Sequence, residues 1–153
     1  MGDPDLAAKF PKVVAGQPVT NVTTSKLTDF FSAFSVPQAQ VESTRQALAG
    51  VGIDLNAVLL GNANATVDGS PVGIQAVRVP GMDAGKLVPI YVLFSASSSG
   101  DKVTQETSGG KSVSILRDDA GYASAWMYPS GDILWVVNSS DGKEAAAVFT
   151  ALP

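Results

Sequence analysis

The clearest hydrophobic pattern in the chain predicts an amphipathic helix. In the segment SKLTDFFSAFS, positions i, i+3, i+4 and i+7 of one helical face carry Leu27, Phe30, Phe31 and Phe34. One interpretation of this phenylalanine stripe is a ligand pocket. Phenylalanines at this spacing more often belong to a core, and we therefore expect core packing here.

Three further segments carry helical signals. A second helix is expected over Gln38–Ala49, where Gly50 supplies the stop. A third begins near Asp83 and carries Pro89 at a kink or close to its first turn. The segment that begins at Asp141 has the spacing of a capping box and predicts a last, docked helix.

Turn residues between β-branched and alternating runs predict antiparallel hairpins. A first strand is expected over about residues 17–24. Further on, Asp68-Gly69, the SGG of residues 108–110 and the PSG of residues 129–131 each separate two strand-like runs. The element order is therefore β-α-α-β-β-α-β-β-β-β-α. Its first part matches the order of a split βαβ or ferredoxin-like unit.

This order predicts one α+β domain over residues 1–153. We expect a largely antiparallel sheet of about seven strands, with three or four helices packed on one of its faces. Residues 1–9 are expected to be a flexible or artificially added start. The short connections between elements fit a single domain.

Charge and hydropathy argue against a nucleic-acid partner and against a membrane-spanning segment. The formal charge is −4, and no cluster of Lys and Arg is present that would neutralise a row of phosphates. The longest apolar run, residues 87–94, contains Pro89 and is far shorter than the about 20 residues that span a bilayer. We therefore expect neither a nucleic-acid partner nor a membrane span.

The chain contains no histidine and no cysteine. This excludes a Ser-His-Asp triad, a thiolate nucleophile, a disulfide and a cysteine-ligated metal. GGKS at residues 109–112 lacks the first glycine of a phosphate-binding loop, and SGGK at residues 108–111 lies in a predicted turn. We therefore predict no enzymatic activity, no catalytic residue, no metal site and no cofactor.

Carboxylates near predicted turns are the remaining candidates for chemistry. Asp118, Asp119, Asp132, Asp141 and Glu144 could offer oxygen ligands to calcium, but the alternating ligand pattern of a calcium loop is missing. A glycosidase pair has no specific signal here. We interpret these residues as turn formers and helix caps.

The segment YASAWMYPSGDILWVVN, Tyr122–Asn138, contains both tryptophans and two of the three tyrosines. A two-residue turn at Ser130-Gly131 would place Trp126 opposite Trp135. The predicted aromatic face consists of Tyr122, Ser124, Trp126, Tyr128, Ile133, Trp135 and Val137, and the other face of Ala123, Ala125, Met127, Leu134 and Val136. The alanine face is expected to pack against a helix.

Two interpretations of the aromatic face stay open. Trp126, Tyr128 and Trp135 form either an exposed patch that binds a ligand or partner, or a second buried layer. We favour packing, and we name the three residues as candidate binding residues. The exposure of the two tryptophans distinguishes the interpretations.

Several segments together resemble a domain of exported or lipid-anchored bacterial proteins of actinobacterial and Chloroflexi-like type, whose function is unknown. They are FPKVVAGQPVTNVTTS, VRVPGMDAGKLVPIYVLF, GGKSV, GDILWVV and EAAAVFTALP. Phe10 stands where that pattern has leucine. The resemblance implies an extracytoplasmic location, secreted or membrane-tethered, with a targeting segment that is absent from this sequence. It implies no active-site residues.

Two functions follow as hypotheses. The first is an extracytoplasmic binding or interaction domain without catalytic activity, whose partner is an unknown protein or cell surface. The alternative is a carrier of a hydrophobic small molecule or lipid. Its apolar cavity would lie between sheet and helices and be lined by residues such as Phe30, Phe34, Tyr91, Phe94 and Trp126. A cavity of roughly 300 Å³ or more favours the carrier.

Overall fold

A seven-stranded antiparallel sheet runs through the centre of the computed structural model, which describes residues 2–95 and 100–153. Its strands are β3 (Thr20–Lys26), β4 (Leu59–Val67), β5 (Ser70–Arg78), β6 (Lys102–Ser108), β7 (Lys111–Arg117), β8 (Ala123–Ser130) and β9 (Ile133–Asn138). The two preceding strands, β1 (Val13–Val14) and β2 (Gln17–Pro18), form a small separate hairpin. The α-helices of the described residues are α1 (Pro4–Lys9), α2 (Leu27–Ala33), α3 (Gln38–Ala49), α4 (Leu87–Ser95) and α5 (Gly142–Ala151). Short 3₁₀ turns at Leu55–Ala57 and Ala84–Lys86 precede β4 and α4.

The strand order β3-β4-β5-β9-β8-β7-β6 joins two meanders. The first meander, β3 to β5, and the second, β6 to β9, meet where β5 pairs with β9. In a split βαβ unit, a third strand lies between the two parallel strands that a helix connects. Here β3 and β4 are direct antiparallel neighbours although α2 and α3 lie between them in sequence. The ferredoxin-like interpretation is therefore wrong.

The predicted turn residues set two of the hairpins. Asp68 and Gly69 connect β4 to β5 with φ angles of 51° and 82°. Positive φ at both central residues is the geometry of a type I′ turn, whose twist matches that of the strands. Gly109 and Gly110 connect β6 to β7 in the same way, with φ angles of 58° and 80°.

Helices cover both faces of the sheet. On the first face, α1 and α5 pack over a buried layer that includes Ile74 and Trp135. On the second face, α2, α3 and α4 pack over a layer that includes Met127 and Val136. The α+β class and the single seven-stranded antiparallel sheet are confirmed. The helices differ from expectation, because the five in the described part divide between two faces.

The amino-acid sequence of β9 itself indicates that helices cover both faces of the sheet. Every residue of β9 from Ile133 to Val137 is buried. A sheet with one wet face needs alternation of apolar and polar residues, whereas strands buried on both faces are apolar throughout. The run ILWVV therefore already indicates a second cover.

The first residues of the chain are part of the fold. Asp3 accepts a hydrogen bond from the backbone N–H of Leu6 at 2.7 Å and so caps α1. Leu6 is fully buried, and Thr24 Oγ1 accepts a hydrogen bond from the Asp3 backbone N–H at 2.6 Å. Residues 4–9 thus form a capped helix that packs on the sheet, which differs from the flexible start expected there, whereas the expectation that residues 1–9 are an added start stays a prediction.

The helices in the described part of the chain are short. The longest of them, α3, has 12 residues, whereas a membrane-spanning helix needs about 20. None of these helices is long and apolar enough to cross a bilayer.

Close packing between Phe10 and β4 gives a first prediction. A Cβ atom added at Gly61 would lie 2.7 Å from Cε2 of Phe10, whose ring packs edge-on against Trp135 with centroids 5.1 Å apart. We expect Gly61→Ala to displace Phe10 and lower the free energy of unfolding by about 1–3 kcal/mol. Urea unfolding followed by tryptophan fluorescence measures this change.

Gly73→Ala is the matched control for this substitution. Gly73 lies in the paired strand β5, and no atom lies within 4 Å of a Cβ added there. An equal loss of stability in both variants would contradict the close packing of Phe10 on Gly61.

Candidate functional site

A cavity of about 480 Å³ lies between the second face of the sheet and helices α2, α3 and α4. Binding sites for small molecules commonly enclose about 300–1,000 Å³ and are mostly apolar. The floor comes from β4 and β5, with Leu60 and Val77 among the lining residues. Phe30 of α2 and Ile90 of α4 line its walls. The carrier hypothesis expects a cavity in this position, between sheet and helices.

Helix α2 forms the least buried wall of the cavity. It contains no buried residue, and its N-cap, Lys26, makes no side-chain capping bond. Phe30 and Phe31 are half-buried and line the cavity, while Phe34 lies just beyond the helix and is 69% exposed. The expectation of core packing for this stripe is therefore correct only in part: Leu27 and Phe31 pack against the core of the second face, whereas Phe34 does not. The stripe faces the sheet as predicted, but open space separates part of it from the strands.

A few polar groups interrupt a mostly apolar lining. Asn62 of β4 and Gln75 of β5 are a directly opposed cross-strand pair, and both line the cavity. The Tyr91 hydroxyl of α4 donates a hydrogen bond to Gln75 Oε1 at 3.1 Å. Burial raises the pKa of Tyr91, while a hydrogen bond with Ser95 acts in the opposite direction. An apolar space with a few grouped polar atoms can hold and orient an amphipathic molecule.

Sequence reasoning missed the two amides, although a signal existed. Leu60, Asn62 and Asn64 alternate on one face of β4, as do Gln75 and Val77 on β5. The predicted hairpin therefore already had apolar and amide residues on the same face. Amides on a face that helices cover indicate incomplete packing, because a buried amide needs hydrogen-bond partners.

The β8–β9 turn holds the segment that leads into α4. Ala84 donates its backbone N–H to the carbonyl of Gly131 at 2.9 Å. Asp132 Oδ2 accepts hydrogen bonds from Arg78 Nε at 3.0 Å and from the backbone N–H of Gly81 at 3.1 Å. These contacts hold the segment that directly precedes α4.

These contacts also set the pKa of Asp132. Burial acts to raise it, but the hydrogen bond from Gly81 and the hydrogen bond and charge of Arg78 outweigh burial and hold the pKa below its usual value. The carboxylate is therefore favoured in the folded state.

The aromatic hairpin pairs in a register other than the expected one. Ser130 pairs with Ile133, so the turn residues are Gly131 and Asp132, and Tyr128 rather than Trp126 lies opposite Trp135. The partner of each β8 residue shifts by two positions, from Ile133 to Trp135 for Tyr128, and a shift of two keeps each side chain on its expected face. Ala123 is the exception, because a bulge in β8 separates it from Ala125, and it belongs to the buried layer of the first face.

The aromatic face is covered by α1 and α5 from Trp126 onward, whereas Tyr122 at its start is 68% exposed. Trp135 is fully buried, and Trp126 donates its indole N–H to the carbonyl of Ser139 at 2.9 Å. Tyr128 packs edge-on against Phe149, with ring centroids 6.1 Å apart. Ligand or partner binding by Trp126, Tyr128 and Trp135 stays a prediction. A ligand that reached Trp135 would have to displace the residues packed over it.

Only some of the residues expected to line the cavity do so. Phe30 and Tyr91 line the cavity, whereas Trp126 lies on the first face and Phe34 is exposed. The side chain of Phe94 lies outside the described part of the structure.

Besides Asp132, two of the acidic residues make the hydrogen bonds expected of turn formers and caps. Asp118 accepts hydrogen bonds from the backbone N–H groups of Ala120 at 3.0 Å and Tyr122 at 2.9 Å. Asp141 caps α5 through the N–H of Lys143 at 2.8 Å. Within residues 2–95 and 100–153, no three acidic side chains gather into a group that could hold a metal ion.

Comparison of the chain with known protein families, characterised proteins and solved structures found no match.

The raised pKa of Tyr91 predicts a loss of stability at high pH. Below pH 10.0, the ordinary tyrosine value, the hydroxyl is protonated in both the folded and the unfolded chain. Above it, ionisation favours the unfolded chain, so the stabilisation is lost as pH rises through the folded pKa. Tyr91→Phe removes this titration. We expect its unfolding free energy to fall less steeply between about pH 9 and 11 than that of the parent, as urea unfolding would measure.

Tyr122→Phe is the control, since Tyr122 is 68% exposed. If Tyr91→Phe retained the parent's alkaline slope while Tyr122→Phe reduced it, the buried state of the Tyr91 hydroxyl would be contradicted.

The lowered pKa of Asp132 predicts the opposite dependence at low pH. Its stabilisation is present above the ordinary value of 3.8 and is lost as pH falls through the folded pKa. We expect Asp132→Asn to cost about 1 kcal/mol at neutral pH and progressively less below about pH 4. Thermal unfolding across this pH range measures the difference. Asp68→Asn, at the exposed β4–β5 turn, should show no such cost.

Proposed function

We propose that this chain binds a hydrophobic small molecule in the cavity between the second face and helices α2 to α4, and that it acts as a carrier rather than an enzyme. The observation that carries this proposal is the cavity itself, at about 480 Å³ with a mostly apolar lining. It exceeds the roughly 300 Å³ above which the carrier is the better hypothesis.

The burial of the lining residues supports binding. Leu60, Val77, Ile90 and Phe30 all remain half-buried around the same space. On the first face, by contrast, Trp135 is completely buried. A ligand that covered the exposed parts of these side chains would gain about 25 cal/mol for each Å² of apolar surface removed from water.

A non-catalytic role is part of the proposal. The sequence has no histidine or cysteine to supply the commonest base and nucleophile. The grouped polar side chains of the cavity are amides, hydroxyls and a tyrosine, which recognise a ligand through hydrogen bonds. An extracytoplasmic setting, which the sequence resemblance implies, is compatible with a carrier that takes up or delivers an apolar molecule.

Binding of an apolar fluorophore tests this proposal. We expect N-phenyl-1-naphthylamine to bind the parent saturably with enhanced fluorescence. Val77→Trp, which places a large side chain inside the cavity, should weaken this binding at least about tenfold, or about 1.4 kcal/mol. Fluorescence titration measures both affinities, and circular dichroism checks that the variant is folded.

Val103→Trp is the matched control. Val103 is 42% exposed on the edge strand β6 and does not line the cavity. It should bind the fluorophore as the parent does. A parent that fails to bind, or a folded Val77→Trp that binds as tightly as Val103→Trp, would sink the carrier proposal.

A further inference from the structure

We infer that the ligand of this cavity is uncharged and carries a hydrogen-bond-accepting group, such as an ester, amide or ketone, on an apolar body. This inference rests on the proposed function and names the class of molecule that the cavity selects. It follows from the charge of the lining and from the hydrogen-bonding state of Gln75 and Asn62.

The lining carries no charge. Among the described residues that line the cavity there is no Asp, Glu, Lys or Arg. A carboxylate or ammonium group that leaves water needs an opposite charge or several hydrogen bonds, and its transfer is otherwise strongly unfavourable. A fatty acid or an alkyl amine would therefore have to leave its charged group outside or bind weakly.

The cation of α3 that lies nearby does not change this conclusion. Arg45 lines a neighbouring polar depression, which shares Phe31 with the cavity. Its guanidinium lies 3.5 Å from the carboxylate of Glu42, with which it forms an ion pair on the same helix. Arg45 is thus paired with Glu42, and it is not among the residues that line the cavity.

The amides determine the kind of polar group that fits. Gln75 Oε1 accepts the hydrogen bond from Tyr91, which leaves the Nε2 amino group of Gln75 to donate elsewhere. Within the described part of the chain, this amino group and the side chain of Asn62 make no hydrogen bond to protein atoms. Two side-chain amides, opposed on neighbouring strands of the cavity floor, thus offer donors to a bound molecule. A neutral carbonyl oxygen accepts from such donors without bringing a charge into the cavity.

Competition between matched ligands tests this inference. Methyl decanoate and decanoic acid share the same ten-carbon acyl chain and differ in the charge of the polar end at pH 7.5. Each is titrated against the parent with N-phenyl-1-naphthylamine already bound, below the concentration at which either ligand aggregates. We expect the ester to displace the fluorophore at least about tenfold more tightly than the carboxylate.

A variant separates recognition from the greater hydrophobicity of the ester. Gln75→Lys introduces a cation beside the proposed carbonyl position, so it should lower the ratio of ester to carboxylate affinity at least about tenfold. Gln46→Lys, which makes the same change on the exposed side of α3, should leave that ratio at the parent value. The ratio compares two ligands on one protein, so a general change in affinity cancels.

The outcomes are distinguishable from failure of the carrier proposal. If the fluorophore does not bind the parent, the carrier proposal itself fails. If it binds and the carboxylate competes as well as the ester, the cavity does not select neutral ligands. An affinity ratio that Gln75→Lys and Gln46→Lys change equally would likewise overturn the inferred role of Gln75, with the carrier function intact.

Discussion

The pairing of β5 with β9 is the interaction on which the rest of the structure depends. It joins the two meanders into one sheet, with Ala76 opposite Trp135 and Gln75 opposite Val136. The small side chain of Ala76 and the absent one of Gly61 leave room on the first face for Trp135 and for Phe10 above it. The same pairing forms a continuous second face, on which the cavity is built. The tightly packed first face and the second face with its cavity are therefore the two sides of the same β5–β9 pairing.

The two faces are filled differently because the polar positions differ. On the first face, aromatic rings interlock with small residues and leave the layer almost completely buried. On the second face, Leu134 and Val136 of β9 are apolar, but the residues beside Val136 on the next two strands are the amides Gln75 of β5 and Asn62 of β4. A helix that covered these amides closely would have to supply hydrogen bonds, and Tyr91 supplies one to Gln75. Helix α2 supplies none from its phenylalanine stripe, so the gap between it and the sheet follows from its composition.

Local signals in the sequence predicted much of the fold, whereas long-range packing was not predictable from them. Asp68-Gly69 gave the β4–β5 turn, and the helix over Gln38–Ala49 has the predicted bounds. The β8–β9 register was wrong, since either Ser130-Gly131 or Gly131-Asp132 can form a two-residue turn and only contacts elsewhere decide between them. The periodicity of the phenylalanine stripe gave its direction correctly. Periodicity does not say whether the facing volume is occupied, and so only Phe30 and Tyr91 of the expected lining residues are found in the cavity lining.

The filled first face and the hollow second face are also expected to differ in how easily they open locally. Local opening is easiest where few apolar side chains are buried, and α2 has no buried residue. Its movement would expose half-buried Phe30 and Phe31 and leave the contacts of Trp135 intact. Under the carrier proposal, an apolar molecule would therefore reach the floor of the cavity at Leu60 and Val77 without disruption of the β5–β9 pairing. Once bound, it would restore to α2 the apolar contacts that the sheet does not provide, and stabilise the folded state by mass action.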